Sequence, residues 1–233
     1  MVGRSLRIVN ESSDRSSRAA DAMNLIERAV AVQLRDVARA WGQYVWRIVD
    51  DANMQGFSIV LLDDSDSAGA LGYHDVNESD GTPYARVFLD PIRAAGGSWL
   101  RGNASVSATV SHEACEMVGD PIACHWVETA RGSLVARELC DPVESSTYTI
   151  QLRNNRRVSV SNFLYPDWFN SFAPLGARFD HMQQLHKPFQ TAPGGYTIRN
   201  TPSGVRNLWG PEHPRWRRDA KKRVGSRTFS RHR

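Results

Sequence analysis

Apolar residues between positions 17 and 50 recur at Met23, Ile26, Val30, Val37, Trp41, Tyr44, Val45 and Ile48, mostly in steps of three, four or their sum. Such spacing lines one face of an α-helix and predicts a long amphipathic helix with Ser17 as its N-cap, ended by Gly56. FSIVLL, residues 57–62, has the length and composition of a buried strand. ALGYHDV is followed by the turn-rich NESDGTP and then by YARVFLD, where Ala85, Val87 and Leu89 alternate with Tyr84, Arg86 and Phe88. This two-residue period predicts a hairpin or meander. Pro91 and the Gly96-Gly97 pair break it, and helical spacing resumes over 105–118 through Val106, Val110, Ala114, Met117 and Val118.

The flanks follow other rules. The serine-rich start predicts a flexible N-terminal arm over 1–17, and residues 18–200 are expected to form one domain. Phe163, Tyr165, Trp168, Phe169 and Phe172 are too dense for a solvated loop, so the stretch around them is read as an irregular aromatic-rich C-terminal extension that covers the core. Pro193-Gly194-Gly195 marks a turn, 196–198 a last strand, and 201–233 a basic tail. The fold class expected is α+β, with a long N-terminal helix and a small mixed sheet carrying an edge strand. A chain of 233 residues with 41% hydrophobic and 23% charged residues suits one core.

Charge is unevenly spread. Residues 215–233 hold nine Lys/Arg against one acid, a charge of +8 within a chain total of +4, which leaves the first 214 residues near −4. Arg215, Arg217, Arg218, Lys221, Lys222 and Arg223, with Trp216 and Phe229 interleaved, suit nucleic acid or an acidic protein partner, although charge blocks also serve as plain solvated tails. No apolar run approaches the roughly 20 residues needed to cross a bilayer, so no membrane is expected as a partner. With no signal peptide read at the start, the expected location is cytoplasmic, in a host cytoplasm or a virion. Three cysteines, Cys115, Cys124 and Cys140, in an odd number and without a CxxC spacing, imply neither a disulfide framework nor a thiolate zinc knuckle.

The chemistry concentrates in SHEACEMVGDP, residues 111–121. On a helix His112 and Glu116, four residues apart, project from the same face at a separation one metal ion can bridge. Glu113 is turned about 100° from His112. An imidazole nitrogen and a carboxylate oxygen can hold zinc, while a carboxylate beside them can accept a proton from water. The competing reading is a polar face of a solvated helix.

This HExxE pattern, with its order of long helix, strands and glutamate-bearing helix, resembles the zincin metallopeptidases, whose motif is HExxH. Gly119 falls where the metzincin subgroup carries its turn glycine. Asp120-Pro121, Trp126, Gly132 and the pair Glu138 and Asp141 also resemble a looser group of HExxE proteins, including uncharacterised phage-encoded ones. The resemblance spans about residues 20–150, and its specific part about 30 residues. It implies His112 and Glu116 as ligands, Glu113 as general base and a third ligand downstream. The metzincin position for that ligand is Ile122, which cannot bind metal. Asp120, Glu138 and Asp141 remain, with Asp141 favoured and Glu138 next. The resemblance implies Zn2+ as the cofactor, while two carboxylates and one imidazole would cancel the charge of a divalent ion and move the preference towards harder ions, Mn2+ or Ca2+.

Weaker candidates surround this motif. Asp63, Asp64 and Asp66 lack the glycine and distal glutamate of a calcium loop and read as turn residues. Cys124 and His125 follow the helix, His74 sits on a strand, and His181 and His186 are misaligned for a shared helix face. Two functional classes follow. One is a metal-dependent hydrolase, most simply a peptidase acting on a peptide or protein, in which Tyr84 and Arg86 on the alternating strand contact an extended substrate. The other is a non-catalytic phage virion or assembly protein on the same fold, a degenerate site included, whose basic tail binds nucleic acid or an acidic partner.

Overall fold

The computed structural model describes residues 5–50, 56–67 and 70–212. Its first element is a strand, β1 (Ser5–Asn10), where a flexible arm was expected. Leu6 and Ile8 alternate with polar neighbours and are buried, which suffices to anchor a six-residue strand that the serine-rich sequence after it disguises. The long helix α1 (Ser17–Trp41) follows, capped by Ser16 rather than Ser17, whose hydroxyl accepts from the Ala19 amide at 3.1 Å. It ends earlier than the apolar spacing suggests. Gly42 adopts a left-handed conformation (φ 59°) and returns its amide to the Ala38 carbonyl. Beyond it Tyr44 and Val45 are exposed, and Arg47–Ile48 form β2.

β3 (Phe57–Leu62), β4 (Gly72–Val76) and β5 (Pro83–Phe88) complete a five-stranded sheet in the order β2-β1-β3-β5-β4. All neighbours pair in parallel except β4, which lies antiparallel to β5 at one edge. The expected hairpin is therefore present, but β5 is interior and β4 is the edge strand. After the short helix α2 (Leu89–Ala94), Ser105 caps α3 (Val106–Gly119) by accepting from the Ala108 amide.

One face of the sheet, through Leu6, Ile8, Ile59, Leu61, Ala85 and Val87, packs against α1 residues Ile26, Val30 and Leu34 and α3 residues Val110, Ala114 and Met117 in a single core cluster. Each Leu, Ile, Val or Met among them contributes about 1.5–3 kcal/mol on burial. All residues of α3 are buried, because a further hairpin, β8 (Thr147–Gln151) with β9 (Arg157–Ser161), closes its remaining side. Ser107 donates to the Ser159 carbonyl at 2.7 Å, and Ser111 accepts from the Ser161 amide at 2.8 Å.

A second sheet joins β6 (Trp126–Glu128), β7 (Leu134–Ala136), β10 (Tyr196–Thr201) and β11 (Gly204–Trp209) in the order β11-β10-β7-β6. Ordered structure thus runs past position 200, because β11 pairs with β10 along its length. The aromatic stretch supplies core: Phe163 joins the main cluster, and Trp168 centres another with Val135, Val143, Leu164 and Phe179. Phe172 alone of the five stands out in solvent. Among the described residues no helix is long and apolar enough to cross a membrane.

Candidate metal centre

Helix α3 places His112 and Glu116 one turn apart, with His112 Nε2 3.0 Å from Glu116 Oε1. The chain then leaves the helix and comes back. Asp120 stops α3 and fixes the loop after it, accepting from the amides of Cys124 (3.2 Å) and His125 (2.8 Å) and lying 2.9 Å from His125 Nδ1. Asp120 and His125 are thereby turned to a structural task, and Cys124 is exposed. The chain returns through β7, and Leu139 packs onto Gly119: a Cβ at that glycine would lie 2.2 Å from Leu139 Cδ1. Gly119 thus permits close packing rather than a left-handed turn. Two residues after Leu139, on a single 3-10 turn (Asp141–Val143), Asp141 Oδ1 comes to 3.3 Å from His112 Nε2.

A second histidine enters from the sheet. The two-residue period of β4, paired so that His74 lies opposite Ala85, turns His74 toward α3. His74 is fully buried, its Nδ1 3.2 Å from Glu116 Oε2 and 3.7 Å from Glu113 Oε2, and its Nε2 3.9 Å from Glu138 Oε2. Neither ring nitrogen completes a hydrogen bond of normal geometry, nor does Glu113 Oε2. Glu138 therefore stands behind His74 and outside the group formed by His112, Glu116 and Asp141.

Four carboxylates, Glu113, Glu116, Glu138 and Asp141, each no more than 2% exposed, share this interior with two imidazoles. Burial pulls the His112 pKa down, but the charge of Glu116 and contacts with Asp141 and Glu116 outweigh it and hold the ring well above its ordinary value. For His74 burial acts in the same sense, and Glu138, Glu113 and Glu116 together raise the pKa to about 10. Both rings attract a positive charge.

Buried groups here can hold a metal ion: His112, Glu116 and Asp141 offer one ligand atom each, as do His74, Glu113 and Glu116, with all atoms of each group within 4.8 Å of one another. Ligands about 2.0–2.1 Å from a tetrahedral zinc lie roughly 3.3 Å apart, and the 3.0 and 3.3 Å separations around His112 Nε2 fit that spacing.

A cleft opens beside this cluster, lined by Gly72, His112, Glu113, Asp141, Glu144 and Tyr196 among others. Gly72 makes the approach possible, since a Cβ there would meet Thr109 Cγ2 at 2.8 Å and Glu113 Oε1 at 2.9 Å. The start of edge strand β4, at Gly72, thus borders the cleft. Tyr84 and Arg86 do not. They sit on the opposite face of the sheet, Arg86 paired with Asp66 and lying 5.3 Å from the centre of the Tyr84 ring, with Tyr73 donating to the same aspartate. Because β5 is hydrogen-bonded on both sides, it has no free edge for a substrate. Asp63 accepts from the Ser13 amide at 2.6 Å, so the aspartates of that loop act as turn and ion-pair residues. His181 stacks on Phe163 at 4.8 Å within the aromatic shell and belongs to neither metal-holding group. Arg215, Arg217, Arg218, Lys221, Lys222 and Arg223 lie outside the described residues.

His74 is the site residue that spacing along the chain does not announce. Its signal was the strand period, which puts every second residue of GYHDV on the inner face. Compared with known proteins, the chain matches no family model, no curated protein and no solved structure.

Proposed function

We infer that the protein is a metal-dependent hydrolase of zincin type acting on peptide bonds. The observation that carries this reading is the convergence of Asp141, from a distant turn, on the His112–Glu116 pair of a buried helix, with Glu113 beside them at the cleft. The long helix, the mixed sheet with an antiparallel edge strand and the HExxE helix beneath it support the zincin resemblance. His112, Glu116 and Asp141 would hold the ion. A divalent cation there would polarise a carbonyl and lower the pKa of nearby water.

Glu113 Oε1 faces Gly72 at the cleft, placed to take a proton from the attacking water and pass it to the leaving amine as the C–N bond breaks. The edge strand β4 offers backbone groups to an extended peptide, a task moved here from β5. Specificity then lies in the side chains lining the cleft.

Metal content of the purified protein against His112→Ala tests the site, and peptide hydrolysis by Glu113→Gln tests the chemistry. The reading expects bound metal in the parent, less in His112→Ala, and in Glu113→Gln an ion still held by His112, Glu116 and Asp141 with activity reduced by a factor of roughly 10²–10⁴. Equal, negligible metal in parent and His112→Ala would sink it. The alternative of a non-catalytic assembly protein rests on the +8 charge of residues 215–233. That role would survive Glu113→Gln and fail on deletion of the tail.

A further inference from the structure

Glu116 faces two histidines at once, Oε1 toward His112 and Oε2 toward His74. Only the first of these belongs to the HExxE helix. His74 comes from the edge strand, is fully buried, and aims Nδ1 at the oxygens of Glu113 and Glu116 without completing a hydrogen bond to either. Its other nitrogen points to Glu138. A ligating histidine commonly presents its second nitrogen to a carboxylate that fixes the ring, and Glu138 stands where such a partner belongs.

We propose that His74, Glu113 and Glu116 form a second divalent-cation position that shares Glu116 with the first, with Glu138 orienting the His74 ring. The proposal rests on the reading of His112, Glu116 and Asp141 as a metal site. Charge balance supports it. Four buried carboxylates carry four negative charges when ionised, and one divalent cation leaves two of them uncompensated in a medium where that is costly. Two divalent cations bridged by Glu116 balance the cluster with both imidazoles neutral, as ligands must be. Glu113 is then divided in role: Oε2 faces the second position while Oε1 stays turned to the cleft beside Gly72. Paired divalent ions bridged by a carboxylate are a known arrangement for hydrolysis, one ion placing the attacking oxygen and the other the leaving group.

The test is titration of the chelator-stripped full chain with Zn2+, reading bound equivalents by elemental analysis, alongside electron paramagnetic resonance of the Mn2+-loaded protein. Two equivalents are expected in the parent, one in His74→Gln, and exchange coupling between the Mn2+ ions. Glu138→Gln should weaken the second equivalent by roughly 10–100-fold and leave the first unchanged. One equivalent in both parent and His74→Gln overturns the second position and leaves the first standing; none in the parent overturns both. Two equivalents in each, or two uncoupled ions, place the second ion elsewhere and also overturn the proposal. Circular dichroism establishes that each variant is folded, and the coupling in the parent decides the matter should His74→Gln fail to fold.

Discussion

Asp141 Oδ1 stands 3.3 Å from His112 Nε2, although the chain between them leaves α3, builds two strands of another sheet and returns. The junction that brings it back is Leu139 resting on Gly119. A ligand delivered by packing in this way is sensitive to substitutions that touch no metal.

Removal of the ligand itself comes first. Asp141→Asn is expected to weaken metal binding by more than the roughly 10–100-fold that loss of an outer-sphere partner costs. Asp120→Asn, by contrast, should leave metal affinity unchanged and cost about 1–3 kcal/mol of stability, because its oxygens accept loop amides and its charge pairs with His125. Isothermal titration with Zn2+ and urea denaturation separate the two.

Gly119→Ala should reduce metal affinity without altering any ligand, since the added methyl drives Leu139, and with it the segment bearing Asp141, away from α3. Adding Leu139→Ala should recover part of that loss even though it opens a cavity worth about 2–5 kcal/mol of stability. A double-mutant cycle on metal affinity measures the coupling, and additive effects would argue against it.

Gly72→Ala places a methyl between β4, Thr109 and Glu113. The expected cost is about 1–3 kcal/mol from overpacking. Peptide KM should rise more than affinity falls for the ion at His112, because the edge strand shifts while His112, Glu116 and Asp141 do not lie on it. Steady-state kinetics beside metal titration reads that difference.

Acidity should oppose the metal. In the metal-free fold His112 is raised well above its ordinary value and His74 to about 10, so near neutral pH a cation must displace a proton from each ring it binds. Apparent affinity should therefore climb with pH, by up to about tenfold per unit for each proton displaced. The metal-free protein behaves in the opposite sense. A pKa raised on folding stabilises fully below the unfolded value near 6.5 and loses that contribution as pH passes about 10. Thermal melts of stripped and Zn2+-loaded protein at pH 6 and pH 10.5 should diverge accordingly.

Helix α3 was legible because Val106, Val110, Ala114 and Met117 keep helical spacing after a serine cap, and the same spacing aligned His112 with Glu116. The solvated-face alternative was not excluded by spacing, since what buries the outer side of α3 is a hairpin more than twenty residues downstream. His74 was legible in principle: the inner face of β4 follows from its pairing with Ala85, but the carboxylates it meets belong to another element. Tyr84 and Arg86 were misplaced for a related reason, as alternation along a strand fixes which residues share a face but not whether that strand lies at an edge. β1 was hidden by brevity, with Leu6 and Ile8 its only fully inward anchors.

That brief strand has a consequence for biosynthesis. β1 is seated between β2 and β3, bonded on both sides to segments made some forty to fifty residues later. β1 must therefore wait for neighbours made after it, and such non-local parallel pairing is slow to form. Were it clipped after synthesis, β2 would lose its partner and β3 would present a bare apolar border to other copies, an invitation to aggregation.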